Sequence, residues 1–167
     1  MGCASVDRPL LSFIVIAYNQ EAYIRSAVQG AFSQTYSPLE IILSDDGSSD
    51  GTFDIMAAMA ADYKGPHVVR LNRNDPNLGI GDHVNRVMAM AQGQVVVIAA
   101  GDDISVPERT ERLWRVFQQG PGDVMSVYSS FGIIDEAGRQ TTLVRRPAPR
   151  KAGPVSYTHL TLPTNRE

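Results

Sequence analysis

The stretch Leu39-Glu-Ile-Ile-Leu-Ser-Asp-Asp-Gly-Ser-Ser-Asp-Gly-Thr52 passes directly from an apolar run into a polar loop. Leu39–Leu43 is typical of a buried strand, and the Asp and Gly residues that follow are turn formers. Asp50 is placed to cap a helix whose buried face carries apolar residues at helical spacing: Ile55, Met56, Met59, Ala60 and Tyr63. The stretch therefore predicts one strand, one loop and one helix in succession.

The same alternation of apolar runs and helical periods continues on both sides of this unit. Further strands are predicted at Leu11–Ala17, His67–Leu71, Val95–Ala100 and Val124–Phe131. Helices are predicted over 20–32 with Asn19 as the cap, over the segment with Val84, Val87, Met88 and Ala91, and after Pro107 with Leu113, Trp114 and Phe117 buried. The Val95–Ala100 run is apolar throughout, which favours a central strand. This order predicts a layered α/β domain with a mostly parallel sheet.

The chain length indicates one domain, because 167 residues suffice for one core of ordinary size and are few for two. We expect a flexible N-terminus at residues 1–9, one domain at 10–146, and a disordered or artefactual tail at 147–167. Pro147 to Pro163 holds four prolines and shows no period that would bury a face. Residues 155–164 resemble a translated sequencing adapter, so the natural sequence is expected to differ after about Pro154.

Composition argues against several partners and locations. The net charge is −3 and the Lys and Arg residues are scattered, which argues against nucleic-acid binding. Cys3 is the single cysteine, so an internal disulfide is excluded and a reducing, cytoplasmic setting is expected. No stretch approaches the roughly 20 apolar residues of a membrane-spanning helix, and residues 1–9 lack the apolar core of a secretory signal.

Polar clusters follow three of the predicted strands. They are Ala17-Tyr18-Asn19, Asp45-Asp46-Gly47-Ser48 and Gly101-Asp102-Asp103. In doubly wound sheets, ligands bind at the carboxyl ends of the strands. We therefore expect the three clusters to face one edge of the sheet and to form the binding site.

Asp102 and Asp103 are candidate ligands of a divalent metal ion. Adjacent carboxylates repel each other, and a bound cation offsets that cost. Mg²⁺ and Mn²⁺ take carboxylate and phosphate oxygens, so two Asp residues suffice if a diphosphate supplies the remaining ligands. The alternative is an ordinary turn that leads into the helix after Pro107, because Gly and Asp are common in turns.

The other polar segments also have a functional and a local interpretation. A carboxylate at Asp45 can accept the imide N–H of a uracil ring while the ring of Tyr18 packs on the base. Asp, Gly and Ser are equally common in loops and at helix caps. Asn77-Leu-Gly79 is either a turn or a place where the backbone approaches a ligand closely.

Several familiar sites are not indicated. His67 and His83 lie at predicted element edges without a partner at ligand spacing, so both are expected to be exposed. The chain has no Gly-x4-Gly-Lys loop and no Gly-x-Gly-x-x-Gly after its first strand, which argues against P-loop ATPases and dinucleotide oxidoreductases. A serine nucleophile elbow is absent as well.

Taken in order, these segments resemble the N-terminal half of the inverting family 2 glycosyltransferases. The resemblance is carried by Phe13-Ile-Val-Ile-Ala-Tyr-Asn19, Gln34-Thr-Tyr36, Glu40 to Thr52, Asn77-Leu-Gly79, Asn85 and Ala91-Gln-Gly93. It implies the GT-A fold, a Rossmann-like three-layer α/β/α sandwich, truncated at its C-terminus. The implied activity is metal-assisted, inverting transfer of a sugar from a UDP-linked donor to a saccharide or lipid-linked acceptor, in cell-envelope polysaccharide synthesis.

The resemblance also implies roles for single residues. The nucleotide-sugar site would comprise Ala17, Tyr18, Asn19, Asp45, Asp46, Gly47, Ser48, Asn77, Gly79 and Asn85, and Asp102 and Asp103 would place Mg²⁺ or Mn²⁺ on the diphosphate. The general base is usually a later carboxylate, and none is identified in this chain. A missing C-terminal part is expected to complete the site and could attach the protein to the inner face of the membrane.

Two positions depart from the family pattern. Ala100 stands where the metal motif often begins with Asp, which leaves the ligand number and the metal open. Val84 stands where many relatives carry an Arg next to the equivalent of Asn85. A second class of function also stays open, in which the chain binds a nucleoside diphosphate and a metal ion without turnover. A nucleotidyltransferase would need a Gly- and Lys-rich signature near the first strand, which is absent.

Overall fold

The computed structural model describes residues 8–122, 124–127, 129–135 and 139–145. The chain divides into two compact units, residues 1–127 and residues 128–167. Cys3 and the tail at 147–167 lie outside the described residues, as does most of the segment 1–9. None of the helices in the described ranges is long and apolar enough to cross a membrane.

The first unit alternates strands and helices. Its elements are β1 (Leu11–Ala17), α1 (Ile24–Phe32), β2 (Leu39–Asp45), α2 (Thr52–Asp62), β3 (Val68–Arg73), α3 (Ile80–Met90), β4 (Val95–Ala100) and α4 (Arg109–Gln119). The four strands form one sheet in the order β3-β2-β1-β4, and each neighbouring pair is parallel. The predicted α/β architecture with a parallel sheet is confirmed.

Helices cover both faces of this sheet because the side chains of β1 alternate between them. Phe13 and Val15 point into a core shared with α1 and α2, against which Trp114 of α4 packs. Ile14 points to the other face and packs with Ile42 and with α3. Both faces of β1 and β2 are therefore buried, as expected for strands inside a parallel sheet, although the face toward α3 also carries the polar residues Ser12, Glu40 and Ser44.

The position predicted for the Val95–Ala100 strand is wrong. Among the described strands, β4 pairs with β1 alone and lies at an edge of the sheet. Ile98 is accordingly 38% exposed. An apolar run shows that a strand avoids water, whereas its place in the sheet is fixed by partners that are distant in sequence.

The strand predicted at Val124–Phe131 is also wrong. Residues 124–127 and 129–130 are not in a strand, and Met125 is 86% exposed. In the second unit the strands are β5 (Phe131–Ile134) and β6 (Gln140–Val144), which form an antiparallel pair. The ladder begins at Phe131 because the partner strand is available from there onward, not where the apolar residues begin.

Of the two residues predicted to cap the first two helices, Asn19 does not cap its helix, whereas Asp50 does bond the start of its helix. Asn19 does not cap α1, which begins at Ile24, because the Asn19 side chain bonds the loop after β2 instead. Asp50 does accept the Thr52 N–H at the start of α2, at 3.0 Å, although Gly51 occupies the N-cap position itself. Sequence spacing alone did not distinguish a local cap from a contact between loops.

Candidate functional site

The ends of β1, β2 and β4 meet at one edge of the sheet. Ala17 pairs with Asp45, and Ile16 pairs with Ala100. Two further backbone bonds hold the loops that follow, from the Asp46 N–H to the Ala17 carbonyl at 2.9 Å and from the Gly101 N–H to the Ile16 carbonyl at 2.8 Å. The three polar clusters after these strands are therefore neighbours, as expected for parallel strands.

The loop after β1 combines an exposed ring with a fixed backbone. Tyr18 is 51% exposed. Asn19 has a φ of 51°, in the left-handed region that Asn tolerates better than most residues. Its N–H donates to Ser48 Oγ and its Oδ1 accepts the Ser49 N–H, both at 2.9 Å. The loops after β1 and β2 thus hold each other, and the Tyr18 ring is left facing solvent.

Asp45 is fully buried and organises the loop after β2. Its carboxylate accepts the Ser48 N–H at 2.9 Å and the Ser48 hydroxyl. Arg73 on β3 lies 3.6 Å from the same carboxylate. Gly47 follows with a φ of 73°, a conformation that favours glycine. The hydrogen bonds to Asp45 therefore hold the loop after β2 in its conformation, and the Ser48 hydroxyl links this loop to the Asn19 N–H.

Asp46 is also buried and joins the loop to the segment before α3. Its Oδ1 accepts from Asn74 Nδ2 at 2.7 Å and from the Leu78 N–H at 3.0 Å, and its Oδ2 accepts the Gly79 N–H at 2.9 Å. Burial opposes ionisation, but these hydrogen bonds outweigh it and hold the pKa of Asp46 below its ordinary value. The carboxylate is therefore charged and closes the turn at Asn77.

Asn77 and Gly79 are brought to this cluster, whereas Asn85 is not linked to it. Asn77 Nδ2 donates to the Asp46 carbonyl at 2.6 Å, and Gly79 has a φ of 79°. Asn85 is exposed on α3, two residues from the buried His83 and therefore on the opposite side of the helix. Its predicted role in the nucleotide-sugar site stays a prediction.

Asp102 and Asp103 are exposed directly after β4. Partial burial of its carboxyl group and the neighbouring charge of Asp102 raise the pKa of Asp103, and Arg109 partly offsets this. Two charges that repel in this way form a favourable place for a cation. Within the described ranges, no three His, Cys, Asp or Glu residues are grouped to hold a metal ion. The two carboxylates thus fit Mg²⁺ or Mn²⁺ when phosphate oxygens supply the remaining ligands.

The loop that carries these carboxylates, residues 101–106, packs directly on α1. Gly30 lies so close that a Cβ there would be 2.9 Å from Ser105 N and Ser105 O. Both atoms belong to the backbone and cannot rotate away. The absence of a side chain at Gly30 therefore allows the loop to lie against the helix.

Gly30→Ala is expected to lower the free energy of unfolding by about 1–3 kcal/mol, because α1 and residue 105 must separate. Urea denaturation followed by circular dichroism measures the change. Gly81→Ala is the matched control, since residue 81 is helical with nothing within 4 Å of its Cβ position. That control should be neutral or slightly stabilising. Equal stabilities of the two variants would contradict the close packing.

Sequence reasoning missed the structural roles of four residues that hold this site together. His67 and His83, expected to be exposed, are both buried, at 7% and 2%. The burial of His83 had a signal, because it precedes Val87 by four residues and so shares its buried helix face. Gln34 stood out only as part of the segment Gln34-Thr-Tyr36 in the family resemblance, without an assigned role, and Arg109 had no signal. Gln34 bonds residues near the start of α4, and Arg109 bonds the Ile98 carbonyl at 2.8 Å.

Comparisons with known proteins identify the family. The sequence profile described as Glycosyl transferase family 2 matches residues 12–163. EpsE of Bacillus subtilis, described as a glycosyltransferase, is 32% identical over 130 residues, covering 75% of this chain and 46% of that protein.

Two solved structures agree in fold. The mannosyltransferase PcManGT of Pyrobaculum calidifontis, in complex with GDP-Man and Mn²⁺, matches with a TM-score of 0.51 and 26% identity, over 59% of this chain and 29% of its own. TarS 1-349 of S. aureus, in complex with UDP-GlcNAc, matches with a TM-score of 0.57 and 24% identity, over 65% of this chain and 31% of its own.

The chain spans less than half the length of these three proteins. The neighbours are GT-A glycosyltransferases, and the four-stranded parallel sheet flanked by helices matches them. The predicted GT-A architecture is therefore confirmed, and so is the resemblance from which it came. This chain belongs to glycosyl transferase family 2.

Proposed function

We propose that the protein to which this chain belongs transfers a sugar from a UDP-linked donor to a saccharide or lipid-linked acceptor, with inversion and with Mg²⁺ or Mn²⁺. The observation that carries this proposal is the convergence of three strand-end loops. The loop after β1 lies between the loop after β4, where Asp102 and Asp103 are exposed, and the loop after β2, residues 45–48, which we call the nucleotide loop. Membership of family 2 supports it. We place the activity at the cytoplasmic face of the membrane, in polysaccharide synthesis.

In this proposal the loops after β1 and β2 form the part of the site that holds the nucleoside of the donor. The exposed ring of Tyr18 offers an apolar face to the base. Asp45 and Asp46 are buried and already accept hydrogen bonds from their own loop, so they act first by fixing its shape. At 0% exposure Asp45 does not meet a ligand in this structure, so its contribution to the nucleotide site is to hold the shape of the loop.

Asp102 and Asp103 act at the diphosphate end of the donor. As hard oxygen ligands they would hold Mg²⁺ or Mn²⁺ against the phosphate oxygens. The ion would neutralise charge on the departing nucleoside diphosphate while the sugar carbon becomes oxocarbenium-like. An acceptor hydroxyl then attacks from the opposite face of the sugar and needs a general base. We place that base in a part of the protein beyond the described residues.

A second candidate function is binding without turnover. On this alternative the chain binds UDP and a metal ion through the same loops, and no acceptor reacts. Hydrolysis or transfer with any UDP-sugar would exclude it.

Calorimetric titration with UDP, with and without Mn²⁺, tests the nucleotide and metal site that both candidate functions require. Mn²⁺ should tighten UDP binding about tenfold in the wild type and have no effect in an Asp102→Ala, Asp103→Ala double variant, a difference of about 1.4 kcal/mol. The matched control is Asp54→Ala, Asp62→Ala, which removes two exposed carboxylates from α2 and should keep the full effect.

The outcomes separate the metal site from the nucleotide site. UDP binding that responds to Mn²⁺ equally in both double variants would overturn the assignment of Asp102 and Asp103. A folded wild-type chain that binds neither UDP nor GDP would overturn the nucleotide site itself. Circular dichroism of each variant confirms that the fold is retained.

A further inference from the structure

A closed ring of hydrogen bonds joins α3 to the nucleotide loop beneath its surface. From Asp46 it passes through the side chains of Asn74, Asn72 and Ser44 to His83, at 2.7, 3.0, 2.9 and 2.6 Å in turn. The His83 N–H then donates to the Gly79 carbonyl and the Gly79 N–H donates to Asp46, both at 2.9 Å. The ring thus links β2, β3, α3 and the turn before α3.

The charge on Asp46 fixes the direction of the first three side-chain bonds in this ring. An ionised carboxylate only accepts, so Asn74 must present its NH₂ to Asp46 and its Oδ1 to Asn72. Asn72 then presents its NH₂, which donates both to Asn74 Oδ1 and to Ser44 Oγ.

Ser44 Oγ, which already accepts from Asn72, lies 2.6 Å from His83 Nε2, and the direction of this last bond depends on the tautomer of His83. We assign Ser44 as the donor, because its hydroxyl hydrogen then has an acceptor within the ring. A nitrogen that accepts is unprotonated, so the neutral imidazole carries its proton on Nδ1.

We propose that His83 is a positioning residue of the candidate nucleotide site: its neutral imidazole ends the side-chain relay that holds Asp46 and, through it, the Gly79 turn. The ring itself is defined by these hydrogen bonds alone. Its consequence for nucleotide binding rests on the proposed function. Neither His83 nor Ser44 lies at the surface, since their exposures are 2% and 0%. Both therefore act through the ring and not by touching the donor.

The surroundings of His83 favour the neutral form. Burial lowers the pKa of His83, and Arg86 on the same helix lowers it further, while Asp46 and Asp45 across from it act in the opposite direction. The net shift is downward from the ordinary value of about 6.5. Because the unfolded chain takes up the proton first, this group destabilises the fold as pH falls below about 6.5. Protonation would remove the acceptor of the Ser44 hydroxyl.

Nuclear magnetic resonance tests the ring without any nucleotide. Imidazole ¹⁵N spectra of the full chain at pH 7.5 should show His83 neutral with its proton on Nδ1, and the Gly79 amide should shift as His83 titrates in acid. His83→Leu should speed hydrogen exchange at the Gly79 amide about tenfold, and His83→Gln, which keeps an acceptor, should restore most of the protection.

Val87→Ala is the matched control, because it removes buried apolar volume from the same helix face without touching the ring. It should lower stability while leaving the His83 tautomer unchanged. A proton on Nε2 of His83, or equal protection of Gly79 in the wild type and His83→Leu, would overturn the relay. If His83→Leu does not fold, the tautomer and the acid titration of the wild type decide the same question.

Calorimetry with UDP then tests the consequence. Affinity should fall about tenfold in His83→Leu and less than about threefold in His83→Gln. In the wild type the contribution of His83 should be lost only in acid, at a pH lower than its ordinary pKa of about 6.5, because burial lowers the pKa of His83 in the folded chain. Unchanged affinity in His83→Leu would overturn the positioning role. No UDP binding by the wild type would overturn the proposed function, while the resonance experiment would still decide the ring.

Discussion

Glu40→Ala is expected to lower the free energy of unfolding by about 3–5 kcal/mol, the cost of breaking a buried charged network by removing one partner. Glu40 is 2% exposed at the start of β2. Its Oε1 accepts from Ser12 Oγ and from the N–H groups of Gln92 and Gly93, and its Oε2 faces Arg70 Nη1 at 3.4 Å. Guanidinium denaturation followed by tryptophan fluorescence measures the change.

The size of this effect follows from the position of Glu40. The carboxylate ties the turn between α3 and β4 to β1 and β2 at the sheet edge opposite the candidate site. Removing it leaves the Gln92 N–H and the Ser12 hydroxyl without their acceptor, each costing about 1–3 kcal/mol when buried, whereas the Gly93 N–H keeps Ser12 Oγ at 2.9 Å. Arg70 keeps its bond to the Met90 carbonyl at 2.8 Å and is less affected.

The dependence on pH gives an independent check. Burial raises the pKa of Glu40, but hydrogen bonds from Ser12, Gln92 and Arg70 outweigh it, so the net shift is downward. The unfolded chain therefore binds the proton first, and the contribution of Glu40 is lost as pH falls below about 4.3. Glu40→Gln should flatten this part of the profile. Glu108→Ala, an exposed acidic control, should change little, and a similar loss in both Ala variants would contradict the network.

The strands and their polar ends could be predicted from local patterns. Runs such as Leu11–Ala17 are apolar on both faces because helices cover both, and the polar clusters begin where that cover ends. The edge position of β4 and the pairing of β5 with β6 could not be predicted in this way. They depend on which distant segments are available to pair, and this information is not present in any short window of sequence.

The candidate site shows the same division. The exposure of Asp102 and Asp103 at a strand end agrees with the sequence pattern, while their role as metal ligands stays a prediction. The hydrogen bonds that Asp45 and Asp46 accept inside the site could not be predicted, since Ser48, Asn74 and Gly79 become their partners only after folding. His83 carried a usable helical signal and was nevertheless assigned to the surface. Sequence patterns thus identify exposed polar residues at strand ends better than they identify the buried residues that hold those loops in place.

Gln34 is the strongest connection between α1 and the loop that carries Asp102 and Asp103. Its side chain is 4% exposed and every polar atom of its amide is used. Nε2 donates to the Gly30 and Val106 carbonyls at 2.9 Å each, and Oε1 accepts the Thr110 N–H at 3.0 Å and the Thr110 hydroxyl at 2.7 Å. The amide therefore satisfies groups at the end of α1 and at the start of α4 at once.

Gln34→Ala is expected to cost about 3–5 kcal/mol, because several buried donors and acceptors lose their partner together, at about 1–3 kcal/mol each with partial relaxation. Guanidinium denaturation measures the loss, and Gln29→Ala, which changes an exposed glutamine within α1, is the matched control. Where the variant remains folded, residues 101–106 lose their attachment to α1, so the Mn²⁺ enhancement of UDP binding should fall as well. A stable Gln34→Ala variant with an undiminished Mn²⁺ effect would show that the loop is held by Gly30 packing alone.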